Sequence, residues 1–460
     1  MTQQSSNHHG GLKKVLGVSA LFAAAMGGVT SQSSFVSLLN GAGNGASFFV
    51  AIFIAFILTL CYVFTYLELS LMMPKAGGLG TYTTVALGHF PAIVVVLTGY
   101  IAATPFGGVA ELMLLEKIID TVYPGVFPHI GIILLVLLTV LNILGINIFS
   151  SVQNTIVYVL LVSLLIIGFS GLHAGNAKGI ACAEMWQQLS ATKSSVLSLT
   201  VLALWSFAGL EFVCPLLEEA KRPEKNLPKA MLLAAVMLLI VYSLIAFAGM
   251  RQIPAAALSS SETPHWLLVN ALFTKTGGFV IVVFAVTATS STVNAIIAGV
   301  PRMLYGMAHH QQLPAIFKKV HPQRDTPWFG ILFFSATVMV PFLLLNNDGG
   351  LIFLLLISSV VLWLMAYIMA HVNVLLLRKK YPSYKRPFKT PLYPLPQIAG
   401  IAGMAYAIWN NSPSPEMAAN VYGITGLIVA IAVLYAFVWI KFKMKKRLFA
   451  PEPMEEALAD

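Results

Sequence analysis

Long apolar stretches, each cut off by a short polar or Gly/Pro-rich connection, recur along the whole chain. Phe48 to Leu67, Ile130 to Ile148 and Leu351 to Met369 are nearly free of charge. Each approaches the ~20 residues that a helix needs to cross a ~30 Å hydrocarbon core. The pattern predicts twelve membrane helices, at 16–39, 46–70, 91–115, 128–148, 154–174, 194–217, 228–250, 276–300, 328–346, 350–377, 394–410 and 420–441. These are spans 1 to 12 below. A β-barrel would instead show short alternating segments between turns. The expected fold class is therefore an all-α polytopic membrane protein.

Two spans break the apolar pattern. Span 6 holds Leu204-Trp205-Ser206-Phe207-Ala208-Gly209-Leu210-Glu211, then Pro215, Glu218-Glu219 and Asn226-Leu227-Pro228. Glycine weakens a helix, proline removes a backbone donor, and a charge inside a membrane costs about 3 kcal/mol or more. A helix built only as an anchor would avoid all three. Span 1 carries Gly27-Gly28 and then Thr30, Ser31, Gln32, Ser33 and Ser34 in succession. Five consecutive polar residues do not fit one packing face, so they are expected to line a site rather than a helix contact. Spans 1 and 6 lie five spans apart and cross the bilayer in opposite directions. That is the spacing of two inverted five-helix repeats. The expected organisation is a tail at 1–15, repeats at 16–174 and 194–377, peripheral spans at 394–441 and a tail at 442–460.

Composition agrees with a membrane protein. The chain is 58% hydrophobic and 10% charged, with mean hydropathy +0.83, whereas a soluble domain carries about a quarter charged residues. Of the 27 Lys and Arg residues, only Lys117, Lys178, Lys193, Arg251 and Lys275 fall on the side opposite the termini. By the positive-inside rule both termini are expected in the cytoplasm. The net charge of +10 thus reports orientation and lipid contact, and no basic, aromatic-interleaved soluble segment points to nucleic acid. Cys61, Cys182 and Cys214 are scattered, with only Cys182 in a predicted external loop, so no disulfide or metal framework is implied. Span 1 is too long and polar for a cleaved signal peptide. His8-His9 reads as a solvated tail, and His309-His310 as polar surface at a helix end. Gly77-Gly78 and Gly80 lack a Walker lysine–hydroxyl pair. Asp348-Gly349-Gly350 reads as a short external turn, and the runs Glu218 to Lys229 and Lys318 to Arg324 as solvated loops.

Four blocks, in order, carry a resemblance. They are Tyr66-Leu67-Glu68-Leu69-Ser70 with Met73-Pro74-Lys75-Ala76-Gly77-Gly78 and Tyr82; Leu204 to Glu211 with Glu218 to Pro228; Asn294 with Pro301-Arg302-Met303-Leu304-Tyr305-Gly306-Met307-Ala308; and Leu313-Pro314, His321-Pro322 and Thr326-Pro327. Together they resemble the amino acid–polyamine–organocation superfamily, specifically bacterial amino-acid permeases and exchangers. The resemblance implies a leucine-transporter-like fold, alternating access, and a central site between spans 1, 3, 6, 8 and 10. Spans 1 and 6 are unwound halfway in that fold. Free N–H groups at a half-helix start then hold a substrate carboxylate, and freed carbonyls hold its ammonium. This chain departs from the family where span 1 usually reads Gly-Ser-Gly. Here stand Ser31-Gln32-Ser33, followed by Ser34-Phe35.

The expected substrate-binding residues are Gly28, Ser31, Gln32, Ser33, Trp205, Ser206, Ala208 and Gly209, with Trp205 matching the family's aromatic gate. Glu211 either titrates, coupling protons to transport, or is a neutral structural acid bonded to backbone. Thr289, Ser290 and Thr292 stand where sodium-coupled relatives hold a cation, although hydroxyls also back-bond to their own helix. No lysine lies in span 5 between Asn154 and Ser170, where some relatives place one. Glu111 matches no family motif and is expected at the membrane surface with Glu116 and Lys117, the alternative being attraction of an ammonium or guanidinium. No nucleophile–base pair or metal spacing is found, so no enzyme activity, cofactor or metal is expected. The expected partners are a small amino acid or amine, a proton or sodium ion, and lipid. The expected place is a bacterial inner membrane. The main rivals to a symporter are an obligate exchanger and a non-transporting nutrient receptor.

Overall fold

A computed structural model describes residues 12, 14–175, 179, 196–345, 349–412 and 414–458. His8-His9, Lys178, Cys182, Lys193, Asp348 and most of the 175–193 connection lie outside the described residues. Eight described helices are long and apolar enough to cross a membrane: Ser47–Met72, His89–Val122, Ile146–His173, Val196–Glu219, Pro223–Gln252, Gly277–His309, Gly350–Lys380 and Pro415–Met444. Shorter apolar helices, Val18–Gly27, Ile130–Leu144, Trp328–Leu344 and Leu395–Trp409, fall where spans 1, 4, 9 and 11 were expected. Large apolar side chains remain exposed on the outer faces, among them Phe279, Leu344, Trp409 and Leu434, as helices facing lipid require. Span 8 sits at the centre, with 72% of its apolar window buried, while span 12 is peripheral at 22%.

Both predicted breaks are present. Span 1 is helical over Val18–Gly27, leaves the helix, and restarts at Gln32–Ala42. Ser31 ends the break in an extended conformation and caps the second half, its Oγ accepting the Ser34 N–H at 3.0 Å. A serine is preferred at this position because it satisfies one of the unpaired N–H groups of a helix start. Hydroxyls also meet carbonyls at the break: Ser34 Oγ donates to Val29 at 2.9 Å, and Thr30 Oγ1 donates at 2.8 Å to Met26, which accepts the Thr30 N–H as well. Span 6 is helical over Val196–Phe207, turns at Gly209 with φ +121°, and continues as a 3-10 helix, Leu210–Glu219, containing Pro215. Only glycine adopts that φ without strain. The two breaks touch: a Cβ on either Gly28 or Gly209 would collide with the other's carbonyl oxygen.

The far end of span 6 is tied down. Val15 N–H and Leu16 N–H donate to the Glu219 carbonyl at 2.8 and 2.9 Å, and Lys221 N–H to the Leu16 carbonyl at 2.8 Å. The buried Arg302 of span 8 grips the Glu219 carboxylate through Nε at 2.5 Å and Nη2 at 2.9 Å. Span 5 departs from expectation, beginning at Ile146 rather than 154, just past Gly145 at φ +138°. Positions 149–153, between the expected spans 4 and 5, continue the helix, because Phe149 and Gln153 face the bundle and are buried. Short helices at Leu79–Leu87, Ala255–Ser260 and Pro264–Leu272 lie in the connections between the expected spans. His310, expected as open surface, is partly buried against the C-terminal tail, its Nδ1 2.9 Å from Glu452 Oε2.

Candidate functional site

Beside the two breaks lies a small, partly open cavity, whose roughly 490 Å³ of empty space includes the solvent at its mouth. Span 1 contributes Gly28, Ser31, Ser33 and Ser34 to its wall, and span 6 contributes Trp205 and Ala208. Span 3 adds Thr104, Gly107, Gly108 and Glu111; span 8 adds Thr292 and Ile296, and span 10 adds Trp363. The cavity is thus bounded by the five spans expected to surround it. Trp205 and Trp363 meet edge to face, with centroids 5.9 Å apart and planes at 85°.

Glu111 corrects the sequence expectation. It is 1% exposed, lies in the helix Ala103–Val122, and lines the cavity. Lys117, near the end of that helix, pairs with Glu262 instead, and Glu116 Oε1 accepts the Gly131 N–H at 3.2 Å. Glu111 Oε2 accepts the Gln32 N–H at 2.9 Å and Oε1 the Ser33 N–H at 2.9 Å. An isolated buried carboxylate is expensive. Here the first donors of a half-helix, carrying the positive end of its dipole, compensate it. Sequence distance concealed the pairing, since the partners are 79 and 78 residues apart. Two anomalies did signal it: an acid that is the single charged residue between positions 91 and 115, and side chains in place of the span 1 glycines.

Gln32, Thr289, Ser206 and Ser290 do not reach the cavity wall. Gln32 is fully buried, and its Nε2 donates to Thr289 Oγ1 at 2.7 Å. Thr289 Oγ1 in turn donates to the Glu111 carbonyl at 3.2 Å. Gln32 and Thr289 therefore brace the seat of Glu111 from behind. Ser206 Oγ donates to the Ser34 carbonyl at 3.0 Å, joining the two broken spans. Ser290 is buried away from the cavity wall. Thr292 lines it, with Oγ1 donating to the Gly27 carbonyl at 3.0 Å.

Glu211 is fully buried and turned toward span 10. Trp363 Nε1 donates to its Oε1 at 2.8 Å, and Tyr367 OH to its Oε2 at 2.6 Å. The same phenol oxygen accepts the Gly209 N–H at 3.0 Å. Tyr62 OH donates to the Phe207 carbonyl at 2.6 Å, so aromatic hydroxyls satisfy both sides of the span 6 break. Gln153, brought into span 5 by its earlier start, lies between spans 1 and 8. Its Nε2 donates to the Ala23 carbonyl at 3.2 Å and the Ser291 carbonyl at 3.1 Å, while its Oε1 accepts from Asn294 Nδ2 at 2.7 Å.

Broken helices, a central cavity and an all-helical, lipid-exposed bundle define a polytopic membrane transporter, and the comparisons with known proteins agree. The sequence model of the amino acid permease family matches residues 16–437, and the chain belongs to that family, within the amino acid–polyamine–organocation superfamily. It is 27% identical to the serine/threonine exchanger SteT of Bacillus subtilis, over 95% of this chain and 98% of the relative. Identity to the branched-chain amino acid permease BcaP of the same organism is 25%, over 85% and 86%. A methylthioribose transporter of that organism is 22% identical over 80% and 84%. Among solved structures, a manganese transporter of Eremococcus coleocola superposes with a TM-score of 0.60 at 14% identity, covering 96% of this chain and 99% of that one. That likeness shows a shared leucine-transporter-like fold. The chain is a transporter and not an enzyme.

Proposed function

We propose that the protein is a secondary transporter of amino acids or closely related amines, working by alternating access. It would sit in a bacterial plasma membrane with both termini in the cytoplasm. The observation that carries the reading is the pair of touching breaks at Gly28 and Gly209 beside a cavity bounded by spans 1, 3, 6, 8 and 10. Discontinuous helices meeting at a cavity are how transporters of this kind build substrate sites. Trp205, against Trp363, is the side chain best placed to close over a bound molecule.

Exchange, or coupling to protons, is favoured over sodium symport by the groups between spans 1, 5 and 8. The carbonyls of Ala23 and Ser291 face the Gln153 amide donor, and that of Gly27 faces the Thr292 hydroxyl. The Gln153 amide, donating to two of those carbonyls, puts its positive hydrogens between them, where a cation would have to displace it. The test is counterflow in proteoliposomes loaded with an unlabelled panel of amino acids and amines. Uptake of label that needs an internal counter-substrate and survives replacement of Na⁺ by choline supports this reading. Folded protein that moves no member of the panel would reject it.

A further inference from the structure

We propose that Glu111 permanently fills the place where a substrate carboxylate would dock, and that the substrate is an organic amine bound as its cation, without a carboxylate in that seat. The inference rests on the transporter reading above and narrows its substrate class. Three observations carry it.

The first is that the half-helix start has no donor left to offer. Gln32 and Ser33 N–H groups bind the two oxygens of Glu111. The Ser34 N–H binds Ser31 Oγ, and the N–H of the capping Ser31 donates to the Val29 carbonyl at 2.9 Å. A helix start has four unpaired N–H groups, and all four are engaged here. A second carboxylate would displace Glu111 or lie against it, like charge on like charge.

The second is the charge of the cavity wall. Glu111 is its single ionisable group among the described residues, with no Lys, Arg or His beside it. Nothing on the wall balances a substrate carboxylate, whereas Glu111 attracts a cation.

The third is aromatic. The Trp205 and Trp363 indoles share that wall, and indole faces bind ammonium groups through the ring quadrupole. A carboxylate and two indoles around one cavity suit an amine.

Gln32 and Thr289 then act as positioning residues, holding the backbone and the span 3 helix at the spacing that keeps Glu111 in place. The replacement of glycines by Ser31-Gln32-Ser33 fits the same account. With its first two helical N–H groups on the Glu111 carboxylate, the segment is built around an internal anion and not an incoming one.

The test compares amino acids with their decarboxylated amines on the full-length protein in detergent, reading ligand-induced thermal shifts. Suitable pairs are arginine and agmatine, ornithine and putrescine, tyrosine and tyramine, leucine and isoamylamine, and serine and ethanolamine. The expected result is that at least one amine binds ten or more times more tightly than its parent amino acid, and that Glu111→Gln removes that preference. The wild-type comparison needs no variant, so a Glu111→Gln protein that fails to fold leaves the test intact. If some ligand binds and in every pair the amino acid binds as tightly as its amine, or more so, the proposal is overturned while the transporter reading stands. If neither set shifts the melting temperature the proposal also falls. The counterflow panel then decides separately whether the transporter reading falls with it.

Discussion

The two helix breaks meet at a glycine–glycine contact, yet each is completed in its own way. The span 1 break is completed from outside, by an acid from span 3 that faces the cavity. The span 6 break is completed partly from within. Glu211 stands in the first turn after Gly209 but points away from the cavity to Trp363 and Tyr367, and Tyr367 OH accepts the Gly209 N–H. One acid is therefore available to a ligand and the other to a neighbouring helix. The difference teaches that an intramembrane acid cannot be assigned a role by depth alone. What matters is which backbone donors it satisfies and which surface its remaining lone pairs face. On that ground Glu111 belongs to recognition, and Glu211 to the coupling of span 6 with span 10.

The contact between the breaks gives the largest expected effect. Gly209→Ala forces a side chain into φ +121° and against the Gly28 carbonyl. Backbone strain of about 1–3 kcal/mol adds to a similar cost for overpacking. Transport in proteoliposomes should be lost and the melting temperature should fall, with Gly28→Ala failing in the same way through the same contact. Normal flux from either variant would mean that the breaks do not lock together.

Tyr367→Phe strikes the span 6 break alone. It strands the Gly209 N–H and removes one donor from Glu211, a loss of about 1–3 kcal/mol for a buried group left unpaired. Denaturation should show that loss while any ligand preference set by Glu111 is kept. A changed preference would mean that the two breaks are not separable.

Trp205→Leu should act on the cavity side instead, lowering uptake about tenfold, equivalent to about 1.4 kcal/mol, with expression unchanged. Full activity would reject the closing role. In the same assay, a wild-type pH profile that Glu211→Gln leaves unaltered would mark Glu211 as structural.

The smallest effect lies far from both breaks. Glu452 of the tail pairs with His310, and Glu452 N–H donates to the Thr84 carbonyl at 3.1 Å. Burial pushes the Glu452 carboxyl up. The His310 hydrogen bond and charge, with His89 and Lys446, outweigh it and hold the group below its ordinary value of 4.5. A lowered folded value means that the stabilisation is full above the ordinary value and is lost as pH falls through the folded one. Glu452→Gln should cost no more than about 1 kcal/mol near neutral pH. It should also flatten the stability loss of the wild type below about pH 4.5. An effect on transport would tie the tail to the breaks.

Much of this arrangement was legible in the sequence because its causes are local. Charge-free runs of membrane length marked the helices. Gly27-Gly28 and Gly209, followed by Pro215, marked the breaks, since glycine and proline act on their own backbone. The partners of those breaks were not legible. Glu111 and Gln32 are remote in sequence, and a carboxylate next to Glu116 and Lys117 reads naturally as a membrane-surface charge. Tyr367 and Trp363 sit in an apolar run where aromatics are unremarkable, and only packing reveals that both point at Glu211. Span 5 was started too late because Ser150, Ser151 and Gln153 interrupt the apolar pattern. That polarity is internal, with Gln153 buried among the carbonyls of spans 1 and 8.

The most direct test of the central claim is an experimental structure of the protein bound to its most strongly stabilising amine. The account predicts ligand density between the Glu111 carboxylate and the Trp205 and Trp363 indoles, with Glu111 still accepting the Gln32 and Ser33 N–H groups. Density for a ligand carboxylate on those two N–H groups, with Glu111 turned aside, would contradict it.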